Sequence, residues 1–479
     1  MLPATTLRAQ LVAVDSERAA THAKITELRV HLEKLADTRA ALVAQLQKIT
    51  YPILSLPVEI TTLIFDYYAR GIAKHCYKSF QSSPLVLTHV CRAWRQIALA
   101  SPQLWTRIFM QSCTTPDVDA MFRRCFERAG NLPLDVDLSL ATDPQVYDIL
   151  AANSDQCRSM AISFPTIDNL SVEGIGAHLS KLHSLRLHIR GQSDPITAFA
   201  NAPALRRLEI FWTFSSFSDF DLPWGQLTHL VLHGESSPAT TIGILRLVPQ
   251  LEVLELPAVR YPTDQLSLEF PRLHTLRLSN AETVTLWILD WMRCAQLQNL
   301  ELLVTIIGWN DVQGLRRFLA DNCKELRSLT LSAVPRYGLI LCEVPSLTTL
   351  HLRRPSNLHR FLQDMAAASD EPLLPRLSDL SIELPNVDVW HDAVAQLLES
   401  RKTMQRVSVC ANHEDLPAKM GIYRPFSSAR TTSKLRAATR MSGCEMEVHG
   451  ARPFHVYSHA SWAPGWTPLY SLLDVDDDT

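Results

Sequence analysis

The residue types in this chain that are best suited to chemistry are a few histidines and cysteines, several of them near the C-terminus. Cys444, His449, His455 and His459 are of the types that bind zinc, but their spacing matches no structural zinc pattern, in which ligands come in close pairs. The ten cysteines are scattered, and no two of them are separated by only two residues. The sequence therefore predicts neither a metal centre nor a cofactor.

Cys91 raises the separate question of a nucleophilic thiol. It shares one helical face with Trp94 and Ile97, and a thiol in apolar surroundings is a poor nucleophile. The motifs of serine hydrolases, zinc proteases, phosphate-binding loops and dinucleotide-binding loops do not occur. We therefore expect a protein that is not an enzyme. Scattered, unpaired cysteines indicate a reducing compartment, so the predicted location is intracellular, in the cytoplasm, the nucleus or both.

The composition argues against nucleic-acid and membrane partners. The chain has 479 residues, of which 47% are hydrophobic and 20% charged, and its formal net charge is −3. Its N-terminus has no basic stretch followed by an apolar run, so we expect no secretory signal, and no apolar run is long enough to span a bilayer. The basic residues Arg424, Arg430, Lys434, Arg436 and Arg440 favour a solvated surface over nucleic-acid binding, because they have no aromatic company.

Residues 7–49 have the heptad pattern of a coiled coil. Apolar residues occupy ten of thirteen positions at an alternating spacing of four and three, and Arg18, Thr21 and Arg39 occupy the others. The flanking positions show no clear charge code. The pattern predicts one long helix that self-associates weakly through residues 7–49. The alternative is a helical arm that folds back on its own protein.

Residues 54–108 contain three segments with helical spacing of apolar residues, at 58–68, 84–100 and 103–108. The first segment carries a face of Ile60, Leu63, Ile64 and Tyr67. Three helices of this size bury little surface by themselves, so an apolar face should remain for a partner.

The order of residues in this region resembles the F-box, the adaptor-binding module of Skp1–cullin–F-box ubiquitin ligases. The matching residues are Leu56-Pro57, Glu59-Ile60, Ile64-Phe65, Val90-Cys91, Arg92, Trp94-Arg95, Ile97-Ala98 and Leu104-Trp105. Residues 71–83 are longer and more polar than the usual connection and look like a loop insertion, as in the expanded F-box-like families of fungi. The resemblance implies that a Skp1-type adaptor, and through it a cullin complex, binds Leu56, Pro57, Ile60, Ile64, Phe65, Val90, Trp94, Leu104 and Trp105.

From residue 182 onwards the pattern L-x-x-L-x-L recurs in nine clean copies, the last of which begins at Leu377. Degenerate copies begin at Cys157 and Met404, and successive copies start 21 to 30 residues apart. This period is typical of leucine-rich repeats, in which each copy is a short strand and neighbouring copies stack to bury their leucines. We therefore expect parallel strands on a concave face and helices on a convex face. Helices are predicted at 195–202, 240–248, 283–294, 311–324, 357–368 and 387–401. We also expect a helix at 117–129, an entry strand at 132–138, and a last helix at 433–441.

A protein substrate is expected to bind the outward residues of these strands. The candidates are Arg186, Arg206, Trp212, His229, Arg277, His351 and Arg353. Trp212 begins an aromatic-rich loop with Phe214, Phe217 and Phe220, which either packs in the core or forms a binding hot spot.

The predicted fold class is therefore an α/β solenoid with four parts. These are a coiled-coil helix (1–50), a three-helix F-box-like domain (51–110), an irregular, helix-rich repeat arc (111–410), and a terminal cap with an acidic, disordered tail (411–479). The predicted function is that of a substrate receptor, which binds the adaptor through the F-box-like domain and a substrate through the repeats. The alternative is a non-catalytic coiled-coil and leucine-rich-repeat scaffold with no link to ubiquitin.

Overall fold

The computed structural model divides into two compact units. The first comprises Met1–Ala69 and Pro84–Ser101, and the second comprises Arg70–Ser83 and Pro102–Thr479. The residues that the structure describes are 4–48, 52–72, 84–109, 118–138, 144–164, 175–176, 178–190, 196–213, 221–234, 238–257, 267–279, 287–303, 309–332, 337–353, 355, 358–367, 373–384, 391–401, 403–411, 438–439, 441–442 and 444–449.

The first unit is helical. The predicted long helix forms as α1 (Ala4–Lys48), and a 3₁₀ turn at Pro52–Ser55 precedes α2 (Val58–Ile72). Pro57 stands just before α2, where its missing N–H leaves no helical hydrogen bond unmade. Two shorter helices follow, α3 (Leu85–Val90) and α4 (Arg92–Leu99). Most of the predicted insertion, residues 73–83, lies outside the described residues.

The single helix predicted for 84–100 is wrong, because Cys91 divides it into α3 and α4. Cys91 is extended (φ −156°, ψ 171°), and its Sγ accepts a hydrogen bond from the backbone N–H of Trp94 at 3.4 Å. It therefore caps the N-terminus of α4. Arg95 stabilises the same corner, since its Nε donates to the carbonyl of Thr88 at 2.6 Å, near the end of α3.

The second unit is built on parallel strands. Within the described residues, fourteen strands form one sheet and two form a small separate pair, all in parallel. The main sheet contains β1 (Arg107–Phe109), β2 (Leu134–Leu138), β3 (Cys157–Phe164), β4 (Ser184–Arg190), β5 (Arg207–Thr213), β6 (His229–His233), β7 (Val253–Pro257), β9 (Thr275–Ser279), β11 (Asn299–Leu303), β12 (Ser328–Ser332), β13 (Thr349–Arg353), β14 (Asp379–Leu384), β15 (Arg406–Ala411) and β16 (Glu445–His449). The small pair is β8 (Leu268–Glu269) with β10 (Met292–Arg293).

Helices connect many of these strands. They are α5 (Val118–Ala129), α6 (Pro144–Ala152), α7 (Pro238–Leu247), α8 (Trp287–Trp291), α9 (Trp309–Asn322), α10 (Tyr337–Leu341), α11 (Leu358–Ala366) and α12 (His391–Ser400). A parallel pair of strands needs such a crossover connection. None of the described helices is both long and apolar enough to cross a membrane.

The strand predictions are confirmed for every clean L-x-x-L-x-L copy, for both degenerate copies, and for the entry strand. The motif leucines stand in register across the sheet, as Leu276, Leu300 and Leu329 do in β9, β11 and β12. Their side chains are buried, whereas most of the residues between them are partly exposed, with Ala161 and Glu209 among the buried exceptions. The alternation gives the sheet a leucine face and an opposite face, which we call the outer face.

Several helix predictions are also confirmed, with the ends shifted by a few residues. The segments at 117–129, 240–248, 311–324, 357–368 and 387–401 form α5, α7, α9, α11 and α12. The segment at 283–294 is only partly helical, because α8 ends at Trp291 and β10 follows. Most of the predicted last helix at 433–441 lies outside the described residues, as does the acidic tail.

Two other helix predictions are wrong, besides the single helix predicted for 84–100. Residues 103–108 form the end of a 3₁₀ turn, Pro102–Trp105, and then enter β1, which pairs in parallel with β2. Residues 196–202 form a turn, in which Ile196, Phe199 and Ala202 are buried at a spacing of three that resembles a helical face.

Candidate functional site

The first candidate site is the apolar surface around α2 in the first unit, which we call the docking face. Ile60, Leu63, Ile64 and Tyr67 follow each other at helical spacing and are all exposed, Leu63 to 64% and Tyr67 to 67%. The segment before the helix adds the exposed apolar side chains of Ile53, Leu54 and Leu56, and the first residue of the helix adds that of Val58. Pro57 is exposed as well. A group of exposed apolar side chains along and just before one helix is typical of a protein-binding site.

The opposite side of α2 holds the helix in its unit. Phe65 is 1% exposed, and its ring packs edge-on against Trp94 of α4 with the ring centroids 4.9 Å apart. Thr61, one turn earlier, is also buried, and its hydroxyl donates to the carbonyl of Pro57 at 3.2 Å. A hydroxyl contact of 3.5 Å joins Thr62 to Ser101 after α4. The inward side of α2 therefore fixes the direction in which the docking face points.

The structure separates the predicted adaptor-binding residues into two groups. Leu56, Pro57, Ile60, Ile64 and Val90 are exposed and available for contact. Phe65 is buried in the first unit, and Leu104 and Trp105 are buried in the second. For these three the assignment as direct contacts is corrected, since an enclosed side chain cannot touch a partner in this conformation. Trp94 is partly exposed and belongs with Phe65, which it supports.

The environment of Trp105 gives a physical reason for its burial. The guanidinium carbon of Arg128, in α5, lies 4.3 Å from the centroid of the Trp105 ring. This cation–π contact joins the 3₁₀ turn to the helix that follows β1.

The second candidate site is the outer face of the sheet, where charged residues of opposite sign occupy neighbouring strands. Asp137, Arg186 and Glu209 lie on one row that runs from β2 to β5 and passes β3 at the small residue Ala161. Arg186 pairs with Glu209 at 2.9 Å and with Asp137 at 3.6 Å. His233 of β6 contacts the second oxygen of Glu209 at 3.0 Å. Glu209 is thus the centre of a four-residue polar cluster.

Glu209 is the most enclosed carboxylate of this cluster, with a side chain only 6% exposed. Burial alone would raise the pKa of Glu209, but the hydrogen bonds from His233 and Arg186 outweigh burial and lower it below the ordinary value of 4.5. The carboxylate is therefore ionised at neutral pH, as a buried charge with good partners should be.

Three aromatic rings form a stack beside this cluster. The ring of Phe211 lies between those of His188 and His233, with centroid distances of 4.3 Å and 4.0 Å and interplanar angles of 2° and 12°. All three residues are partly exposed. Stacked rings next to a fixed carboxylate provide a rigid surface that is partly aromatic and partly charged. Such a surface suits recognition of a protein segment.

The predicted substrate-binding arginines of the strands form ion pairs with glutamates of neighbouring strands. Arg277 pairs with Glu301 at 2.9 Å and with Glu255 at 3.7 Å. Arg353 pairs with Glu383 at 2.6 Å. Together with Arg186 they neutralise carboxylates of neighbouring strands, so their first role is to join the strands of the outer face.

The other predicted substrate-binding residues have mixed surroundings. Arg206 holds the turn before β5, since its Nη1 donates to the carbonyls of Pro203 and Leu205 at 3.0 Å and 2.9 Å. Burial lowers the pKa of His229 to about 4, with help from Arg207 and two other histidines. Burial also lowers the pKa of His351. Trp212 belongs to β5, but its side chain and the loop with Phe214, Phe217 and Phe220 lie outside the described residues.

Several of the described thiols have raised pKa values, which disfavours the nucleophilic thiolate form. Burial raises the pKa of Cys125 to about 11 and those of Cys157 and Cys294 to about 12. Cys91 is engaged as a helix cap. Among the residues that the structure describes, no group of three or more potential ligands could hold a metal ion. The side chains of His449, His455 and His459 lie outside them.

The aromatic stack was not predicted from the sequence, although the repeat pattern contains a sign of it. His188, Phe211 and His233 each follow the last apolar residue of an L-x-x-L-x-L copy, in three consecutive copies. Residues at the same position of neighbouring repeats lie side by side on the sheet. An alignment of the repeats would therefore have brought these rings together.

Comparison with known proteins gives a family for the region that contains the first candidate site. Residues 53–111 match the family model described as F-box-like, so the chain contains an F-box-like domain, a module that generally binds Skp1-type adaptors. No curated protein matches the chain. A leucine-rich-repeat protein of Leptospira interrogans is similar at 13% identity, over 63% of this chain and 98% of that one, with a TM-score of 0.22. The leucine-rich-repeat character of the second unit rests on its own strand register.

Proposed function

We propose that this protein is a substrate receptor of a Skp1–cullin–F-box type ubiquitin ligase. The observation that carries the proposal is the docking face, an exposed apolar surface on the very domain that matches the F-box-like family. Its residues are held in place by the Phe65–Trp94 contact, so the surface exists before a partner binds. A preformed surface binds at a smaller cost in conformational entropy.

The sheet of the second unit supplies the substrate-binding part of this proposal. Its outer face presents the aromatic stack of His188, Phe211 and His233, and its charges are held by neighbouring strands. The receptor works by proximity, because it keeps a substrate protein close to a ubiquitin-transferring enzyme that the adaptor and cullin bring. No covalent step is assigned to residues of this chain.

Copurification with a Skp1-type adaptor tests the docking half. We expect a stable complex with the wild-type chain. The double variant Leu63→Asp with Tyr67→Asp should raise the dissociation constant of this complex at least tenfold, since central apolar contacts dominate interfaces. The double variant Leu56→Ala with Pro57→Ala should raise it by a smaller factor. The matched control is Leu247→Asp, which changes an exposed leucine of α7 in the other unit. If the wild-type chain fails to bind, the scaffold function without a ubiquitin link is the better account.

Capture of proteins from cells tests the substrate half. Some proteins that the wild-type chain and Leu247→Asp both capture should be missing from the proteins captured by Phe211→Ala. Binding to the adaptor should be unchanged in both variants. If Phe211→Ala retains all of them, the substrate surface lies elsewhere on the chain. Ubiquitin transfer by the purified chain without any ligase component would show that it is an enzyme.

A further inference from the structure

The heptad positions of α1 within residues 7–49, which we call its seam, are mostly apolar, and their described aliphatic side chains are exposed. The helix has 45 residues and is therefore about 67 Å long at 1.5 Å per residue. Among the seam residues whose side chains are described, every aliphatic one is exposed. They are Leu7, Leu11, Val14, Ile25, Leu28, Leu32, Leu35 and Leu42. A stripe of this length with heptad spacing is typical of a helix that pairs with another helix.

The polar residues at the heptad positions restrict the orientation in which a partner helix can pack against α1. The hydroxyl of Thr21 donates to the carbonyl of Glu17 at 2.9 Å, so Thr21 is satisfied within its own helix and can be covered. Arg18 and Arg39 are therefore the two seam positions whose charge a partner must accommodate. Their places in the heptad distinguish between the two orientations of a dimer.

We infer that α1 pairs with α1 of a second copy in an antiparallel coiled coil. A parallel pair places like positions opposite each other, so that Arg18 faces the partner's Arg18 and Arg39 faces the partner's Arg39. It also places Lys24 beside the partner's Arg29 at the flank. Like charges at such short range repel, and covering them with apolar neighbours increases the cost. The one favourable flanking pair, Glu17 with the partner's His22, contributes too little to offset this.

The antiparallel arrangement removes these conflicts. With the two helices fully overlapped, Ile25 meets the partner's Leu28 at the centre. Arg18 then lies opposite the partner's Leu35, and Arg39 lies opposite the partner's Val14. Each arginine can rest its methylene groups on an aliphatic neighbour and extend its guanidinium to the rim.

The same register brings opposite charges together. Asp15 lies on the flank next to the position of the partner's Arg39, and two-fold symmetry produces this pair twice. Flanking charges of this kind set the orientation of coiled coils. This dimer is independent of the proposed ligase function, and it would bring two docking faces into one assembly.

A photo-crosslinker within the full-length chain tests the orientation. We expect light scattering to show a dimer, and p-benzoylphenylalanine in place of Leu11 to crosslink to a peptide around Leu42 of the partner. Crosslinks around Leu11 itself would show a parallel pair, and a monomer that crosslinks within its own chain would show a folded-back arm. Both results overturn the inference. Ala23, on the outward side of α1, is the control position for the probe and should produce no dimer crosslink.

A charge exchange tests the register. Asp15→Arg alone and Arg39→Asp alone should each raise the dimer dissociation constant about three- to tenfold, because each breaks two symmetric surface pairs. The double variant Asp15→Arg with Arg39→Asp should return to within about twofold of the wild type, since the two changes are coupled. If the effects of the single changes simply add in the double variant, these residues are not paired and the register is wrong.

Discussion

The ring of Phe65 packs edge-on against the ring of Trp94, 4.9 Å away, and this contact divides α2 into an enclosed side and the docking face. Phe65 and Leu63 are two residues apart on the same helix, yet one is 1% exposed and the other 64%. The fold of the F-box-like helices and their binding surface can therefore be altered separately.

Phe65→Ala should destabilise the helical unit by about 3–5 kcal/mol, because it leaves a cavity against Trp94. Leu63→Ala should change stability by less than about 0.5 kcal/mol, because its side chain is already in water. Amide hydrogen exchange of α2 and α4 measures both effects. We expect faster exchange with Phe65→Ala alone, and equal protection in the two variants would contradict this division of α2.

Glu209→Gln should destabilise the repeat unit by about 1–3 kcal/mol, since Arg186 and His233 lose their charged partner in a site that excludes water. Glu445→Gln is the matched control. It changes a carboxylate that pairs with Arg406 at 3.3 Å but is 63% exposed, and surface pairs contribute little. Thermal unfolding should separate the two variants, and similar shifts in both would show that Glu209 is no more important than a surface charge.

The same carboxylate should affect acid stability. The pKa of Glu209 is lowered on folding, so its contribution is complete above the unfolded value of about 4.5 and is lost as the pH falls through the lower folded value. The wild-type chain should therefore lose more stability between pH 5 and pH 3 than Glu209→Gln does. Unfolding curves at a series of pH values measure the difference.

The strands could be predicted from the sequence because their signal is local and repeated. Each L-x-x-L-x-L copy fixes its own buried leucines, and the next copy confirms the register. The ion pairs of the outer face require two copies to be compared at once. Arg186 and Glu209 are 23 residues apart in the chain but occupy the same row of adjacent strands. A list of outward arginines cannot show these ion pairs, and the role of the arginines in substrate binding stays a prediction.

The failed helix predictions have a related cause. Ile108 follows Leu104 by four residues, which matches a helical face, but its backbone pairs with Val136 of β2. Cys91 also fits the face of a continuous helix, yet it is the cap between α3 and α4. Spacing alone cannot distinguish such cases, since the deciding contacts are made with residues outside the segment.

His229 should resist protonation down to about pH 4. Its pKa is lowered from 6.5 mainly by burial and additionally by the nearby Arg207 and two histidines. Between about pH 6.5 and pH 4, His229 is therefore protonated in the unfolded chain but neutral in the folded chain. Stability should therefore fall as the pH decreases from about 6.5 to 4. In His229→Gln this slope should be smaller. Equal slopes in the wild type and in His229→Gln would contradict the assignment.

The guanidinium of Arg401 should be a stabilising element at the end of α12. Its Nε, Nη1 and Nη2 donate to the carbonyls of Met365, Leu374 and Leu373 at 2.9, 3.2 and 2.6 Å. Leu374 has a positive φ of 55°, which a non-glycine residue adopts only when its surroundings hold it there. Arg401→Ala should therefore cost about 2–4 kcal/mol, because three carbonyls lose their donor.

Arg401→Lys should recover only part of this loss, since an ammonium group cannot reproduce the planar fork of a guanidinium. Arg317→Ala, which removes a 69% exposed guanidinium 3.5 Å from Asp290, should change stability by less than about 0.5 kcal/mol. Denaturant unfolding and hydrogen exchange of α11 measure the three variants. If Arg401→Lys is as stable as the wild type, charge alone stabilises this corner and the three directed hydrogen bonds do not.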